Sequence, residues 1–106
     1  MIKPNECQDM GDIRSAIDAL DNNIIKLMSQ RLEYVREASR FKKNETDVRD
    51  ENRVKEVIES KKRLAEKHNL PPELIGNIYE LMIDAFIDEE LEEFIGVVGD
   101  YTLHEP

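Results

Sequence analysis

Residues that interrupt helices are scarce in this sequence. It has four glycines and four prolines among 106 residues, and neither type occurs between residues 12 and 43. Charged residues make up 37% of the chain and apolar residues 40%. This mixture is typical of amphipathic helices and argues against intrinsic disorder. The composition therefore predicts an all-α protein, and the length suits one domain that spans residues 1–106.

The sequence also has few of the residues that metal and membrane sites need. Cys7 is the one cysteine, so an internal disulfide is excluded, and no CxxC or Cys/His cluster offers a metal site. No stretch is long and apolar enough for a signal peptide or a membrane span. We expect no metal, no cofactor and no membrane association, with a reducing cytoplasm as the location.

Positive charge is outnumbered in this chain. Lys and Arg total 15 against 24 Asp and Glu, which gives a net charge of -9. Nucleic-acid binding requires a basic face, so nucleic acid is not an expected partner, and anionic membranes are disfavoured for the same reason. A basic residue within an apolar stripe therefore needs an explanation of its own.

The spacing of apolar residues predicts a long N-terminal helix. A lead-in at residues 1–11 precedes Asp12, which is a suitable N-cap. The apolar positions then alternate in steps of four and three, at Ile13, Ile17, Leu20, Ile24 and Leu27. A helix of about 30 residues is about 45 Å long, too long to fold back on a core of its own. Its length suggests a spine that two chains share.

Two further helices are predicted. Asp50 caps the second, after a polar loop at residues 43–49, and His68-Asn69 end it. Pro72 begins the third, because proline suits the first helical turn. Gly96 and Gly99 are expected to end it, which leaves a core at about residues 12–95 and a loose tail at residues 96–106.

Arg31 occupies a position in the first helix where the alternation requires an apolar residue. One interpretation is that it reaches out to solvent or pairs with a carboxylate of the protein. The other is that it binds an anionic ligand, since its planar fork of donors fits a carboxylate. Lys42 lies within about 20° of the same helix face. Arg14 is about 25 Å from Arg31 along the helix, so the two share a small ligand only if two subunits run antiparallel.

Arg53 and Glu90 each have a candidate role and a plain alternative. Arg53 begins the second helix and either folds over the same ligand or stays on the surface near Asp50. Glu90 belongs to the acidic run at residues 88–93, which is normally a solvated face, yet it shares the stripe of Phe86. If the Glu90 carboxyl points inward, its pKa is raised and the protonated acid donates a hydrogen bond.

These residues resemble the all-helical chorismate mutases, and most closely their relatives, the isochorismate-pyruvate lyases of salicylate synthesis. The likeness covers about residues 4–94 without gaps. The segments that carry it are Asp12-Ile13-Arg14, Ala16-Ile17-Asp18, Leu20-Asp21, Arg31, Tyr34-Val35, Ala38-Ser39-Arg40-Phe41-Lys42, Arg53-Val54 and Ala65-Glu66 to Leu70.

The resemblance implies an intertwined helical homodimer with two shared active sites. Arg14 of the partner chain would bind one carboxylate of a compact dicarboxylate substrate, and Arg31 would bind the other. Lys42 would contact the ether oxygen and a carboxylate, and Glu90 would contact the ether oxygen, so both would be catalytic and substrate-binding residues. Arg53 would support binding. The remaining pocket lining is expected from Val35, Asp50, Val54, Phe86 and Ile87.

Two departures from the family pattern affect the expected reaction. Chorismate mutases of the enterobacterial kind carry a glutamate directly after the second-helix arginine, where it binds the C4 hydroxyl of chorismate, whereas this chain has Val54. The lyases also lack that glutamate. Bacterial members usually have glutamine where this chain has Glu90, and the fungal mutases have glutamate; a glutamate there should work only when protonated.

The resemblance thus implies a cofactor-free pericyclic elimination of isochorismate to salicylate and pyruvate, with chorismate mutase as a side activity. One alternative is chorismate mutase proper, which converts chorismate to prephenate. An alternative of another class is a non-catalytic helical dimerisation module, which leaves Arg31 without an explanation.

Overall fold

A computed structural model describes the backbone of residues 2–44 and 49–103, and the side chains of residues 2–44 and 49–96. Three long helices follow one another: α1 (Met10–Ala38), α2 (Glu51–Lys67) and α3 (Pro72–Leu103). Two 3-10 helices, Pro4–Glu6 and Ser39–Phe41, flank α1. No strand occurs in these described ranges. The predicted all-α fold with a long first helix is confirmed.

Contacts divide the chain into two compact units, Met1–Glu33 and Tyr34–Pro106. The first unit contains most of α1, and the second contains the end of α1, α2 and α3. The prediction of one domain across the whole chain stays a prediction.

Helix α1 begins earlier than the sequence predicts. The backbone N–H of Asp12 donates to Oδ1 of Asp9 at 2.8 Å, and the N–H of Gln8 donates to Oδ2 of Asp12 at 2.9 Å. The first bond makes Asp9 the N-cap with Asp12 at the third helical position, and the second ties Asp12 to the residue just before the cap. Choosing Asp12 as the cap was wrong because Asp9 satisfies the free N–H groups one turn earlier and leaves Gly11 inside the helix.

The apolar stripe of α1 is uncovered within this chain. No residue of Met10–Ala38 is buried. The predicted stripe residues Ile17, Leu20, Ile24 and Leu27 are each half exposed or more. Full burial of a large aliphatic side chain contributes about 1.5–3 kcal/mol, and each of these four residues forfeits roughly half of that. Packing inside one chain therefore does not account for the pattern of α1.

Helix α1 also ends earlier than the sequence predicts. The α-helical backbone stops at Ala38, a 3-10 helix covers Ser39–Phe41, and Lys42 is extended with φ -94° and ψ 141°. A 3-10 turn holds about three residues instead of 3.6. Lys42 therefore lies outside the α-helix, and the inference that Arg31 and Lys42 share one helix face was wrong because it assumed a continuous α-helix. Ser39 is buried, and this 3-10 helix packs against α3.

Helix α2 begins and ends where the sequence predicts. The side chain of Asp50 accepts a hydrogen bond from the N–H of Arg53 at 3.1 Å, which confirms it as the N-cap. At the other end, Asn69 has φ 60°, and the N–H of Leu70 donates to the carbonyl of Ala65 at 2.8 Å. This is the Schellman arrangement, in which a left-handed residue turns the chain so that the last carbonyls find donors.

Helices α2 and α3 pack against each other and supply the small core of the second unit. Its buried apolar residues in the described part are Ala65, Met82 and Ile83. The stem of Lys62 crosses Gly76, where a Cβ would lie 2.5 Å from Cε of Lys62. A glycine at this position therefore allows the two helices to approach with a long side chain between them.

Helix α3 begins at Pro72 as predicted but does not end at Gly96. The helical backbone continues through Gly96 and Gly99 to Leu103. A glycine inside a helix costs only about 1 kcal/mol relative to alanine, so neither residue is an obligatory stop. The predicted loose tail at residues 96–106 is thus wrong as far as Leu103, and residues 104–106 lie outside the described part.

Candidate active site

The Lys42–Glu90 site, formed by these two side chains, lies in the second unit. The 3-10 helix Ser39–Phe41 packs against α3 and leads directly into Lys42. Glu90 lies on α3, and the ammonium of Lys42 is close enough to act on its carboxyl group. Packing of the 3-10 helix therefore places the segment that leads into Lys42 against the helix that carries Glu90.

Glu90 is a buried acid. The residue is 4% exposed, and Oε2 has no hydrogen-bond partner within residues 2–44 and 49–96. Burial raises the pKa of Glu90 above the ordinary glutamate value, while the positive charge of Lys42 lowers it by a smaller amount. A carboxyl group in these surroundings favours its protonated form, which can donate a hydrogen bond. Glu90 thus differs from the exposed acids around it, as its stripe position predicts.

Arg36 joins the last turn of α1 to α3 beside this site. Its Nη2 donates to Oε2 of Glu89 at 2.7 Å. The hydrogen bond to Glu89 is the main cause that raises the pKa of Arg36. The two segments that carry Lys42 and Glu90 are therefore linked by a direct ion pair.

A second arginine joins the start of α2 to α3. Nη1 of Arg49 donates to Oδ1 of Asp84 at 2.9 Å, and its Nε donates to Glu51. The predicted loop at residues 43–49 ends at this arginine, and residues 45–48 of that loop lie outside the described part. The contact fixes the approach of the chain to the N-cap Asp50.

The other predicted cations are divided between the two units. Arg14 is exposed and Arg31 is partly exposed with a buried Nη1, and both belong to the first unit. The side chain of Arg53 is 65% exposed and donates to Glu56 at 2.7 Å. Within this chain Arg53 thus has the surface position that was its plain alternative.

The predicted lining residues share the second unit with the Lys42–Glu90 site. Asp50 is exposed and serves as the cap of α2. The apolar members are partly exposed, namely Val35, Val54, Phe86 and Ile87. They supply apolar surface of the kind that usually surrounds a few polar groups in a ligand site.

Two kinds of feature are absent from the described residues. No three His, Cys, Asp or Glu side chains there come together in a way that could hold a metal ion. Among the helices of the same ranges, none is long and apolar enough to cross a membrane.

Comparison with known proteins gives the chain a family. A family model described as chorismate mutase type II matches residues 13–91. The chain belongs to this family. The resemblance noted from the sequence is confirmed, and the chain is an enzyme, a lyase or an isomerase. This finding sets aside the non-catalytic dimerisation module.

Curated members of the type II family include both kinds of enzyme. The isochorismate pyruvate lyase of Pseudomonas aeruginosa is 32% identical over 92 residues, which are 87% of this chain and 91% of that protein. A bifunctional chorismate mutase/prephenate dehydratase of Buchnera aphidicola is 32% identical over 77 residues, 72% of this chain but 20% of that protein. The chorismate mutase of Methanocaldococcus jannaschii is 24% identical over 78 residues, 73% of this chain and 79% of that protein.

Sequence reasoning missed three residues around the site of this type II family member. Arg36 and Glu89 look like ordinary members of charged helix faces, and nothing in the sequence pairs residues so far apart. Ser39 is 7% exposed, although serine is usually a surface residue. Its place three residues before the predicted site residue Lys42, in a segment that carries the family resemblance, was an available indication.

Proposed function

We propose that this protein is an isochorismate-pyruvate lyase that converts isochorismate to salicylate and pyruvate. The observation that supports this most directly is a buried glutamate, Glu90, next to a lysine, Lys42, in an enzyme of the chorismate mutase type II family. A protonated acid and a cation both stabilise an ether oxygen when its C–O bond breaks, and burial shifts Glu90 towards its protonated form.

The proposed reaction needs no group outside the protein and its substrate. The bond between the ring carbon and the ether oxygen breaks, and a ring hydrogen moves to the methylene carbon of the enolpyruvyl chain. That chain leaves as pyruvate, and the ring becomes aromatic as salicylate. All atoms and electrons come from isochorismate, so the enzyme contributes a reactive conformation and charge stabilisation.

Lys42 and Glu90 divide the stabilisation of the ether oxygen. Negative charge develops on this oxygen as the bond breaks, and the ammonium of Lys42 stabilises that charge. Protonated Glu90 donates a hydrogen bond to the same oxygen, whereas an ionised Glu90 would repel it. Because Glu90 is buried, these interactions would be stronger than they would be in water.

The choice of isochorismate over chorismate rests on Val54 and on the relatives. Val54 offers no hydrogen-bonding group to a C4 hydroxyl, which fits a substrate that carries its hydroxyl elsewhere. The match to a protein named isochorismate pyruvate lyase extends over nearly the full length of both chains. Salicylate production in the cytoplasm follows as part of the proposal.

A homodimer with shared sites completes the proposed enzyme. The exposed apolar stripe of α1 needs a cover, and a second copy of α1 running antiparallel would provide one. The same arrangement would bring Arg14 of the second copy towards Arg31 and Lys42 of the first. Cations from both chains would then bind the two carboxylates of isochorismate, which a chain with net charge -9 would otherwise repel.

The deciding experiment supplies isochorismate and chorismate separately to the purified protein. Salicylate and pyruvate from isochorismate, at a kcat/KM at least about tenfold above that for chorismate, would support the lyase. Val54→Glu serves as a diagnostic variant, since it should weaken turnover of isochorismate. A wild-type enzyme that turns over chorismate alone would overturn the proposal.

Chorismate mutase is the second candidate. It is supported by the family model and by the chorismate mutase of Methanocaldococcus jannaschii. The same cations and the same ether oxygen would serve, because chorismate carries the same enolpyruvyl group. Prephenate in the two-substrate assay is the product that identifies this activity.

A further inference from the structure

The ion pair between Arg36 and Glu89 is distinguished by its position. It joins α1 to α3 through a 2.7 Å contact, and its side chains are 45% and 42% exposed. Ion pairs that remain this exposed stabilise a fold only weakly. Its contribution to the free energy of unfolding is therefore small. Its main effect is on the local geometry of the segments that it joins.

The pair acts on both segments that carry the Lys42–Glu90 site. Glu89 directly precedes Glu90, and neighbouring residues point about 100° apart around a helix. A bond from Glu89 therefore restrains the direction of the Glu90 side chain. Arg36 lies in the last turn before the 3-10 helix Ser39–Phe41, which leads into Lys42. The ion pair between Arg36 and Glu89 thus restrains both Glu90 and Lys42.

We propose that Arg36 and Glu89 are positioning residues, whose ion pair holds Lys42 and Glu90 at the separation that the reaction requires. This inference rests on the proposed function. It predicts that loss of the pair slows the chemical step and leaves substrate binding nearly unchanged, because Arg14 and Arg31, the main cations assigned to the two carboxylates, lie outside the pair.

A charge effect is the rival explanation, and a charge-neutral variant separates the two. Arg36→Gln alone removes a cation from the surroundings of a dianionic substrate, and Glu89→Gln alone removes an anion. The double variant R36Q/E89Q removes the contact and leaves the net charge unchanged. Positioning therefore predicts a lower kcat in the double variant, whereas a charge effect predicts the wild-type kcat.

The kinetic test measures kcat and KM for the two single variants and the double variant. We expect kcat to fall about tenfold in the double variant with KM changed less than about twofold. The singles should fall by a similar factor, because each already removes the shared contact. The reversed pair R36E/E89R should recover most of the lost kcat. A double variant with wild-type kcat, or singles whose effects add, would overturn the inference.

A matched control removes a different ion pair between helices, again without a change in net charge. Nζ of Lys62 on α2 lies 3.6 Å from Glu73 on α3, away from the residues assigned to the site. The double variant K62Q/E73Q should keep the wild-type kcat and KM. A loss of kcat in this control equal to that in R36Q/E89Q would assign the effect to general loosening, and the inference would fail.

A second measurement keeps this test separate from the proposed function. The Glu90 carboxyl can be titrated by carbon-detected NMR in the protein without substrate. The charged group known to act on it is Lys42, which follows the 3-10 helix, whereas its neighbour Glu89 points about 100° away around α3. Even if the wild type turns over neither substrate, a Glu90 titration that changes in R36Q/E89Q and returns in R36E/E89R supports positioning. An unchanged titration in R36Q/E89Q, or no return in R36E/E89R, overturns it.

Discussion

The carboxyl group of Glu90 has to be protonated for its proposed role, and its surroundings pull in two directions. Burial raises its pKa, while Lys42 lowers it by a smaller amount because an ammonium prefers an ionised neighbour. Lys42 must nevertheless be close, since both groups are proposed to meet one ether oxygen. The balance between these two causes sets the pH range in which the enzyme works.

Replacing Lys42 by alanine should nearly abolish turnover. The variant loses a fixed cation beside the ether oxygen, and removal of one such donor raises the barrier by about 3–4 kcal/mol. Steady-state kinetics measures the loss, and circular dichroism should show unchanged helix content. Lys55→Ala, which removes an exposed lysine of α2, is the control and should keep wild-type activity. Retention of more than about a tenth of the activity in K42A would contradict the role of Lys42.

Replacing Glu90 by glutamine should flatten the pH profile. In the wild type, kcat/KM should fall as pH rises through the raised pKa of Glu90, because the ionised form repels the developing charge. Glutamine keeps a hydrogen-bond donor at every pH. A pH series of kcat/KM for E90Q, with E80Q as an exposed-acid control, checks this. A falling limb that persists in E90Q would exclude Glu90 from the mechanism.

The same group links pH to stability, with the opposite sign to an ordinary paired carboxylate. Its pKa is higher in the folded than in the unfolded chain, so the folded chain binds more protons between the two values. The contribution of Glu90 to the free energy of unfolding is therefore present below the unfolded pKa and is lost as pH rises through the folded pKa. Urea unfolding of wild type and E90Q across this window measures that difference.

At the level of helices, the helix ends determine where the proposed site residues lie. The change from α-helix to 3-10 helix after Ala38 turns Lys42 out of the helical repeat and places its segment against α3. A continuous α-helix to residue 43 would have given Lys42 a different direction. The Asp50 cap similarly determines where α2 begins, and therefore where Val54 lies on that helix.

The left-handed residue at the end of α2 gives a test of such a helix end. Asn69 has φ 60°, a conformation that asparagine tolerates and β-branched residues avoid. Asn69→Val should lower the free energy of unfolding by about 1–2 kcal/mol, whereas Asn69→Gly should be neutral or slightly stabilising. Urea unfolding midpoints measure both. Equal stability of the two variants would argue against this Schellman turn.

For the whole molecule, the exposed apolar stripe of α1 is the main unfavourable feature of a single chain. The second unit has a core between α2 and α3, but α1 has no buried residue. A domain of this length buries only about 60–70% of its unfolded surface, so a partner subunit would contribute a large share of the stability. The proposed dimer thus bears on folding as well as on the active site.

Mixing two inactive variants tests whether active sites are shared. Arg14→Ala and Lys42→Ala damage residues that the proposal assigns to different chains of one site. Refolded together, they form mixed dimers in which one site has both wild-type residues, so about a quarter of the wild-type activity should return. Each variant refolded alone is the control. Absence of any recovery, with dimers verified by sedimentation, would exclude sites shared between chains.

Predictions from local patterns succeeded where the physical cause was local. Asp50 was found as a cap because its side chain satisfies an N–H three residues away. Pro72 was found as a helix start because its ring fits the first turn. Asp9 was missed because two aspartates competed for one role, and the helical continuation through Gly96 was missed because a glycine only weakens a helix.

The periodicity of the chain, with its capping residue Asp50 and its Pro72, was enough to predict three helices and a long first helix, because these follow from a repeat of about 3.6 residues and from local helix ends. It offered an inward-facing Glu90 as one of two interpretations. Its motifs were enough to predict the family. Tertiary packing decided which residues meet: the 3-10 turn that brings Lys42 to Glu90, and the pairing of Arg36 with Glu89. No local pattern contains such contacts, because they depend on how separate helices are placed in space.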